Sequence, residues 1–340
     1  MSSKAPIAIL EHSLEAHPAR RAWGRIHGGR PAPVRVEVWR EMPRHRPASV
    51  YRLVFADDET PAVFAKHSER RFGAVERACY EAILPCIGVS APTFLGSLQD
   101  DDGSWWLFVE DAGREWYSLT DLEHRALAGR WIGQLHRLGA TVPAARALPP
   151  AGPERYLRHL RAARGRITRN LPNRGLTGSD RGVLWASLVL QDRAEAAWAG
   201  IERACEGPPS TLVHGDFQPK NIRIRRSNGP ASVLVLDWEM AGWGNPAVDL
   251  APPAAADVVS HVDLDSYAAE VCGAWPGVDA AAIRRISIAG LVLRRLAAMD
   301  WATESLHFED PRFLSDPVES LRFLNRSLSR GLEAAQEWLG

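Results

Sequence analysis

The sequence predicts an α+β fold in which a small β-rich part precedes a larger, mainly helical part. Short segments with alternating apolar and polar residues lie before residue 115, whereas longer segments with helical spacing follow it. The length of 340 residues exceeds that of one ordinary domain and suits two lobes. We therefore divide the chain into an N-terminal extension (1–30), expected to be helical, a β-rich lobe (31–115) and a helical lobe (116–340).

The β-rich lobe is predicted to hold several strands and one helix. Residues 34–39 alternate cleanly, residues 50–55 form a second strand, and a polar turn then leads into a third strand that ends at Lys66. A helix is expected from about 72 to 84. The apolar segment that follows, 105–109, is typical of a buried strand.

The helical lobe is predicted from four long segments with helical spacing, separated at one point by a loop rich in Ala, Pro and Gly. The segments are 122–138, 154–170, 281–302 and 315–338, and the loop is 140–153.

A hairpin is predicted within the helical lobe. Residues 221–226 alternate between apolar and polar side chains, Asn228-Gly229 favours a tight turn, and an apolar segment follows. Counting from the turn places Asn221 nearly opposite Asp237, and paired side chains lie about 5 Å apart. Asp216 precedes the first strand, so we expect all three polar groups at one end of the hairpin.

Two carboxylates and an amide in this arrangement suit one kind of chemistry. Phosphoryl transfer from a metal–nucleotide needs a carboxylate that accepts the proton of the attacking hydroxyl, and oxygen ligands for Mg²⁺. The alternative is a polar turn in which the carboxylates only cap the strands. The spacing of His-Gly-Asp and a following Asn is rare by chance, and it favours the chemical interpretation.

The motifs His214–Asn221, Asp237–Glu239 and Asp249–Ala251 resemble those of the aminoglycoside phosphotransferase and choline kinase group of small-molecule kinases. The fold of that group is similar to the fold of protein kinases, so the resemblance implies a two-lobed, protein-kinase-like fold. It also implies ATP as the phosphoryl donor, with GTP not excluded, and Mg²⁺ as the metal ion.

The resemblance assigns a role to each polar residue of these motifs. Asp216 would be the catalytic base, and Asn221 and Asp237 would bind the metal ion. His214 and Asp249 would brace the catalytic loop without taking part in the chemistry.

Lys66 is the candidate phosphate-binding lysine. Lysine occurs at only three positions in the chain, and arginine supplies the other basic residues, so a retained lysine at a strand end suggests a specific need for an ammonium group. In kinase-like lobes a Glu on the next helix pairs with this lysine. Glu76 is favoured because it precedes Tyr80 by one helical turn, as in relatives, and Glu81 is the alternative. The alternative is a surface lysine with solvated helix glutamates.

Two further segments are expected to contact the nucleotide. The phosphate-covering loop should lie at 40–49; it has no glycine, but its end resembles that of the small-molecule kinases and places Ser49 near the phosphates. In the family, the segment that contains Glu110 and Asp111 joins the lobes, and its backbone meets the adenine.

The acceptor is expected to be the hydroxyl group of a small molecule. Only eleven residues separate Asp237 from Asp249, too few for the activation segment that presents a peptide to a protein kinase. The resemblance suggests an antibiotic, such as an aminoglycoside or another sugar-containing compound. The alternatives are a metabolic kinase acting on choline, ethanolamine, a sugar or an amino-acid alcohol, and a non-catalytic nucleotide-binding scaffold.

Asp300, Trp301 and Glu304 are the candidate acceptor-binding residues. In the implied fold the C-terminal helices approach the acceptor, and carboxylates beside an aromatic ring suit a cationic compound through ion pairing and cation–π contact. The alternative is that they are ordinary surface charges on amphipathic helices.

Composition limits the partners. The formal net charge is zero, so attraction to nucleic acid or to an anionic membrane is not expected. The four cysteines have no metal-binding spacing and suggest free thiols in a reducing cytoplasm. No apolar segment approaches the length that spans a membrane. A monomer and a homodimer are both compatible with the sequence.

Overall fold

The computed structural model describes residues 5–40, 48–57, 60–226, 229–252 and 260–339. The chain forms two compact units, and each is described by itself. The first unit is drawn from Met1–Ser118 and Pro219–Ala241, and the second from Leu119–Gln218 and Gly242–Gly340. Strands dominate the first unit and helices the second, which confirms the predicted α+β class.

The strands are short and are numbered in chain order. They are β1 (Ala8–Leu10), β2 (Arg35–Arg40), β3 (Ala48–Val54), β4 (Val63–Ser68), β5 (Phe94–Gln99), β6 (Trp105–Glu110), β7 (Pro150–Ala151), β8 (Thr211–Val213), β9 (Ile222–Arg225), β10 (Ser232–Val235) and β11 (Gly242–Gly244).

The α-helices are numbered in the same way. They are α1 (Pro18–Ile26), α2 (Arg70–Ala78), α3 (Leu84–Ile87), α4 (Leu122–Gly139), α5 (Pro153–Asn170), α6 (Gly178–Ala196), α7 (Trp198–Ala204), α8 (Leu264–Val271), α9 (Ala280–Ala302), α10 (Pro311–Ala334) and α11 (Gln336–Leu339).

The first unit is built on a six-stranded antiparallel sheet with strand order β1-β2-β3-β4-β6-β5. Strand β4 lies in the middle of this sheet, and Lys66 pairs with Val50 on one side and Leu107 on the other. A central strand has neighbours on both edges, so its residues are held more firmly than those of an edge strand. The sheet therefore fixes the backbone of Lys66.

Residues 1–30, expected to be helical, contain both helix α1 and strand β1, which adds an edge to the sheet. Trp23 of α1 is buried, with its ring 5.5 Å from that of Phe55 and 5.4 Å from that of Phe108. Aromatic pairs at such distances stabilise a core beyond the area that they bury. The helix is thereby packed into the core of the first unit.

The predicted hairpin forms from β9 and β10, which pair antiparallel with Val235 opposite Ile222. Asn228 of the predicted turn lies outside the described residues. The sequence-based division placed this hairpin in 116–340, whereas in the structure it belongs to the first unit. One reason is that Arg225 forms an ion pair with Glu110 at the end of β6, with an N–O distance of 2.9 Å.

The second unit is a set of helices with a small sheet of order β7-β11-β8. Helix α9 is buried along most of its length and packs against α5, α10 and the short 3₁₀ turn Pro246–Leu250. All four long helices predicted from the sequence are present as α4, α5, α9 and α10. Within the described residues, no helix is both long and apolar enough to cross a membrane.

Candidate active site

Lys66 lies at the centre of a group of three carboxylates in the first unit. Its Nζ is 2.8 Å from Glu76 Oε2 and 2.8 Å from Glu239 Oε2, and it also forms an ion pair and hydrogen bond with Asp237 Oδ1. The side chains are 4–18% exposed, so these charges lie in a medium of low dielectric constant. Lys66 is thus a buried, ion-paired lysine and not a surface residue.

The helix glutamate that pairs with Lys66 is Glu76. It is almost completely buried, and its Oε1 also accepts a hydrogen bond from the backbone N–H of Trp238 at 3.3 Å. Glu76 therefore links the strand lysine to the backbone just after Asp237. Glu81, the alternative, lies 3.2 Å from Arg77 and accepts a hydrogen bond from Ser97 Oγ at 3.0 Å.

Burial and charge shift the pKa values of this group in different directions. Burial alone would lower the pKa of Lys66, but the three carboxylates raise it well above its usual range. Burial raises the pKa of Glu76 to about 7, although Lys66 opposes this. Burial would also raise the pKa of Asp237, but Lys66 holds it well below its usual range. Asp237 is thus the carboxylate that stays ionised most readily.

Asp237 has an unusual backbone. Its φ of 69° and ψ of 63° lie in the left-handed region, which non-glycine residues seldom adopt. Such conformations cost about 1–3 kcal/mol and concentrate at functional sites. The strand register places Asn221 opposite Leu236, whose N–H donates to the Asn221 carbonyl at 2.9 Å. Asn221 is therefore one position out of register with Asp237, close to the geometry predicted from the hairpin.

The donor set of this group suits a hard divalent cation. Ligand oxygens of Glu76, Asp237 and Glu239 all lie within 4.8 Å of one another. Three carboxylates surround one ammonium group, so negative charge is in excess. Mg²⁺ prefers negatively charged oxygen ligands of this kind. Asp237 would hold the ion, and Asn221, at the end of the 3₁₀ turn that precedes β9, is the second ligand that the sequence motif suggests.

Glu239 is a member of this group that sequence reasoning did not assign to the site. Burial and the neighbouring Asp237 charge raise the pKa of its carboxyl. The signal was present, since Glu239 is part of the Asp-Trp-Glu motif. A 3₁₀ turn, Trp238–Met240, brings its side chain back towards Lys66.

The segments expected to contact the nucleotide are only partly described. Residues 41–47 of the predicted phosphate-covering loop lie outside the described residues, and Ser49 is paired with His67 in the sheet. The backbone N–H groups of Glu110 and Asp111 donate to the carbonyls of Thr93 and Ala62 at 3.0 Å each. These two N–H groups are already used within the first unit.

The side chains of Glu110 and Asp111 are also engaged. Glu110 Oε1 accepts from the N–H of Thr93 and from Arg225, each at 2.9 Å, and Asp111 Oδ2 accepts from Arg52 Nε at 2.8 Å. These ion pairs hold the end of β6 in a fixed position within the first unit.

In the second unit, Asp249 holds the loop that carries Asp216. Its two carboxylate oxygens accept hydrogen bonds from the backbone N–H groups of His214 at 2.6 Å and Gly215 at 2.8 Å. Gly215 has a φ of 79°, a conformation that suits glycine and turns the chain sharply after β8. Asp249 is fully buried, and its contacts are those expected of a brace for this loop.

His136 completes this brace. Its Nε2 lies 3.2 Å from Asp249 Oδ2, and its Nδ1 lies 3.0 Å from the hydroxyl of Tyr267. Burial would raise the pKa of Asp249, but the contacts with His136 and His214 lower it, so the carboxylate stays ionised. His136 is a buried structural histidine in this position.

Asp216, the candidate base, is buried and hydrogen-bonded. Its backbone N–H donates to His214 Nδ1 at 3.2 Å, and its Oδ1 accepts from Gln218 Nε2 at 3.1 Å. The same oxygen forms an ion pair with Arg294 of α9. The loop therefore presents Asp216 with one carboxylate oxygen engaged by a buried guanidinium group.

Arg294 was not identified from the sequence. It follows Leu291-Val292-Leu293 within an apolar helix, and a charged residue in such a segment requires a partner when it is buried. A charged residue within an apolar helical segment was therefore the signal in the sequence that could have pointed to Arg294. The sequence does not show which carboxylate is the partner, because Asp216 lies 78 positions away.

The candidate acceptor-binding residues lie at the end of α9. Asp300 is buried and pairs with Arg166 and with His159 Nδ1, the latter at 2.8 Å. Trp301 and Glu304 are exposed. The negative charge of Asp300 is therefore matched within the protein, which weakens the basis for expecting it to attract a cationic acceptor.

Solved structures share this fold. Spectinomycin phosphotransferase APH(9)-Ia, solved with ADP and spectinomycin, superposes with a TM-score of 0.60 at 12% identity, covering 94% of this chain and 97% of that one. A GDP complex of a mutant aminoglycoside 2'-phosphotransferase-IIIa gives 0.61 at 13%, covering 93% and 98%. Choline kinase from Cryptosporidium parvum Iowa II gives 0.55 at 12%, covering 89% and 93%. At these identities the likeness establishes the kinase-like fold alone.

A search of curated proteins finds no significant match to the sequence. A family model does match, over residues 65–286, which is more than half of the chain. The matched segment begins just before Lys66 and includes both the Asp216 loop and the Asp237 motif. The protein therefore belongs to the phosphotransferase enzyme family, APH, and is a small-molecule kinase.

Proposed function

We propose that this enzyme transfers the γ-phosphoryl group of ATP to a hydroxyl group of a small molecule. The observation that carries the proposal is Lys66, buried in contact with Glu76, Asp237 and Glu239. A buried ammonium group that is fixed by carboxylates is suited to contacting nucleotide phosphates while a metal ion binds beside it. A purely structural lysine would not need three carboxylate partners.

Each candidate site residue has a defined task in this proposal. Lys66 binds phosphate oxygens, and Glu76 orients Lys66. Asn221 and Asp237 hold Mg²⁺, which supplies neutralisation of the phosphate charge when it is bound. Asp216 orients the acceptor hydroxyl and takes its proton, and Asp249 keeps the Asp216 loop in shape through the backbone of His214 and Gly215.

ATP is the proposed donor, and GTP is the alternative. Among the solved structures with this fold, one holds ADP and another holds GDP, so the fold accommodates both bases. Titration of the enzyme with ATP and with GTP, each with Mg²⁺, tests this choice. Tighter binding of ATP supports the proposal, and a preference for GTP contradicts it.

Two classes of acceptor are proposed. The first is a hydroxyl-bearing antibiotic, such as an aminoglycoside or another sugar-containing compound, because antibiotic phosphotransferases share the fold. The second is a metabolic alcohol, because kinases of choline, of ethanolamine and of aminopropanol share it as well. Resistance to an antibiotic would follow only from the first class.

A screen of hydroxyl-bearing compounds from both classes tests the proposed function. The measured quantity is ADP release that depends on the compound, followed by mass spectrometry of the phosphorylated product. We expect at least one compound to give a product heavier by one phosphoryl group. If the protein binds Mg-nucleotide but transfers phosphate to no compound, it is a nucleotide-binding scaffold and the proposal is wrong.

A further inference from the structure

Arg294 places a buried positive charge directly on the candidate base. Its side chain is 7% exposed, and it pairs with Asp216 Oδ1. A guanidinium group has five N–H donors in a planar fork. Within the described part of the chain, the contact with Asp216 is the only hydrogen bond that Arg294 makes, so most of these donors have no protein acceptor there.

The two neighbouring buried arginines, Arg294 and Arg295, differ in their partners. Its neighbour Arg295 is equally buried and donates to two neutral oxygens, Ser327 Oγ at 2.7 Å and Pro252 O at 3.1 Å. Burial and the nearby Arg294 lower the pKa of Arg295 to about 10, so it is still charged at neutral pH. Asp216 and the fully buried Asp249 are the carboxylates of this region, but Asp249 is engaged by His136 and by the backbone N–H groups of His214 and Gly215, so Asp216 is the carboxylate that contacts Arg294 among the described residues.

His261 adds no charge to this region. Burial lowers the pKa of its imidazole to about 4, and the Arg294 charge contributes to that shift. It is therefore neutral at physiological pH and carries no negative charge in any state. An anionic group of a ligand would accept from the Arg294 donors that have no acceptor among the described residues.

The ion pair also bears on the task proposed for Asp216. Oδ1 is engaged by Arg294 and Gln218, so the hydroxyl proton would be accepted by the other carboxylate oxygen, Oδ2. An anionic group of the acceptor that binds the remaining Arg294 donors would bring the acceptor to the carboxylate that takes the hydroxyl proton.

We infer that Arg294 binds an anionic group of the acceptor, a carboxylate or a phosphate, and that the preferred substrate is therefore a hydroxylated acid. This inference rests on the proposed phosphotransferase function. It assigns Arg294 as a residue that determines acceptor specificity. The pairing of Asp300 with Arg166 and His159 agrees with it, because that carboxylate is not left to attract a cation.

The test compares matched compounds that differ only in charge. Hydroxy acids and their amides form such pairs (glycerate with glyceramide, gluconate with gluconamide), and glycerol 1-phosphate with glycerol tests phosphate separately. For wild-type enzyme we expect the charged member of at least one pair to have a kcat/KM about 10- to 100-fold higher, the scale of one charge-assisted hydrogen bond.

The decisive quantity is the ratio of kcat/KM between the two members of a pair. Arg294→Gln should abolish this ratio, and Arg294→Lys should retain part of it, because Lys keeps the charge but not the fork. A change in Asp216 itself would affect both members equally and cancel in the ratio. Arg295→Lys, on the same helix and equally buried, is the matched control and should leave the ratio unchanged.

Each remaining outcome contradicts either the inference about Arg294 or the proposed phosphotransferase function. Equal loss for both members in Arg294→Gln would show that Arg294 only positions the base, and the inference would be wrong. Transfer to neutral or cationic compounds alone would also contradict it, while leaving the proposed function intact. If Arg294→Gln does not fold, the Arg294→Lys ratio decides. Lack of transfer to any compound would instead refute the proposed function on which the inference rests.

Discussion

The ammonium group of Lys66 is compact, and three carboxylates hold it from different sides within the first unit. A guanidinium group would keep the positive charge but would present its donors in a wide planar fork. The chain is rich in arginine and has few lysines, and the retention of lysine at position 66 is explained if this position tolerates only the smaller group.

Lys66→Arg should therefore impair the enzyme despite conserving charge. We expect turnover to fall by about 10²-fold, the scale for the loss of one preorganised electrostatic contact. Lys220→Arg is the matched control, because Lys220 is exposed. Acceptor-dependent ADP release measures both variants, and full activity of Lys66→Arg would contradict the role of the ammonium group.

Asp237 combines a carboxylate with a left-handed backbone, and the two features can be separated by substitution. Asp237→Ala removes the carboxylate and keeps a backbone strain of about 1–2 kcal/mol, whereas Asp237→Gly removes both the carboxylate and that strain. Calorimetric titration should show that Mg²⁺ no longer strengthens nucleotide binding in either variant. Persistence of the Mg²⁺ dependence in Asp237→Gly would contradict the proposed metal site.

At the scale of single residues, sequence patterns singled out Lys66 and Glu76 but missed Glu239 and Arg294. Lys66 and Glu76 could be paired in advance because one ends a strand and the other lies on the next helix. Glu239 was missed because its role depends on a 3₁₀ turn that no periodicity reveals. Arg294 was missed because its partner is distant in sequence and comes from another element.

At the scale of elements, helix α2 positions Glu76 through a close approach to strand β6. A Cβ atom at Gly73 would lie only 2.5 Å from the Cβ of Trp105, so only glycine permits this distance. Arg77 adds a cation–π contact, with its guanidinium carbon 4.6 Å from the centre of the Trp105 ring. Gly73 and Glu76 are one helical turn apart, and the contact at Gly73 therefore sets the distance from Glu76 to Lys66.

Gly73→Ala should displace α2 and weaken nucleotide binding. Overpacking of this kind costs about 1–3 kcal/mol, so we expect a lower melting temperature and a higher KM for the nucleotide. Gly182→Ala in α6 is the matched control, because the space around Gly182 is open and alanine favours a helix. An unchanged nucleotide KM in Gly73→Ala would show that α2 does not position Glu76 in this way.

Two elements that sequence patterns did not predict, α6 and β5, lack a regular apolar periodicity. Helix α6 exposes Trp185 and Val189, each 57% accessible, so its apolar residues do not lie on one face. Strand β5 contains Gly96 with a φ of 129° at an irregularity in the register, which interrupts the alternation. Where the apolar pattern was regular, as in α4, α5 and α9, the helices formed as predicted.

At the scale of the whole molecule, the candidate functional groups are shared between two units. Lys66, Glu76, Asn221 and Asp237 belong to the first unit, and Asp216 with its brace belongs to the second. The chain passes from one unit to the other between Gln218 and Pro219, within the motif that joins the base to the metal ligand.

That division yields a prediction about separable functions. Nucleotide binding should depend on residues of the first unit, and phosphoryl transfer should additionally require Asp216. Asp216→Asn keeps the size of the side chain and much of its hydrogen bonding but cannot accept the hydroxyl proton.

The most direct test of the account is therefore a paired measurement on Asp216→Asn, with Mg-nucleotide affinity determined by calorimetry and transfer determined as acceptor-dependent ADP release. Asp192→Asn, whose side chain is 70% exposed, is the matched control and should behave like wild type. The account predicts unchanged nucleotide affinity and a fall in turnover of about 10²- to 10⁴-fold for Asp216→Asn. Near-normal turnover in that variant would contradict it.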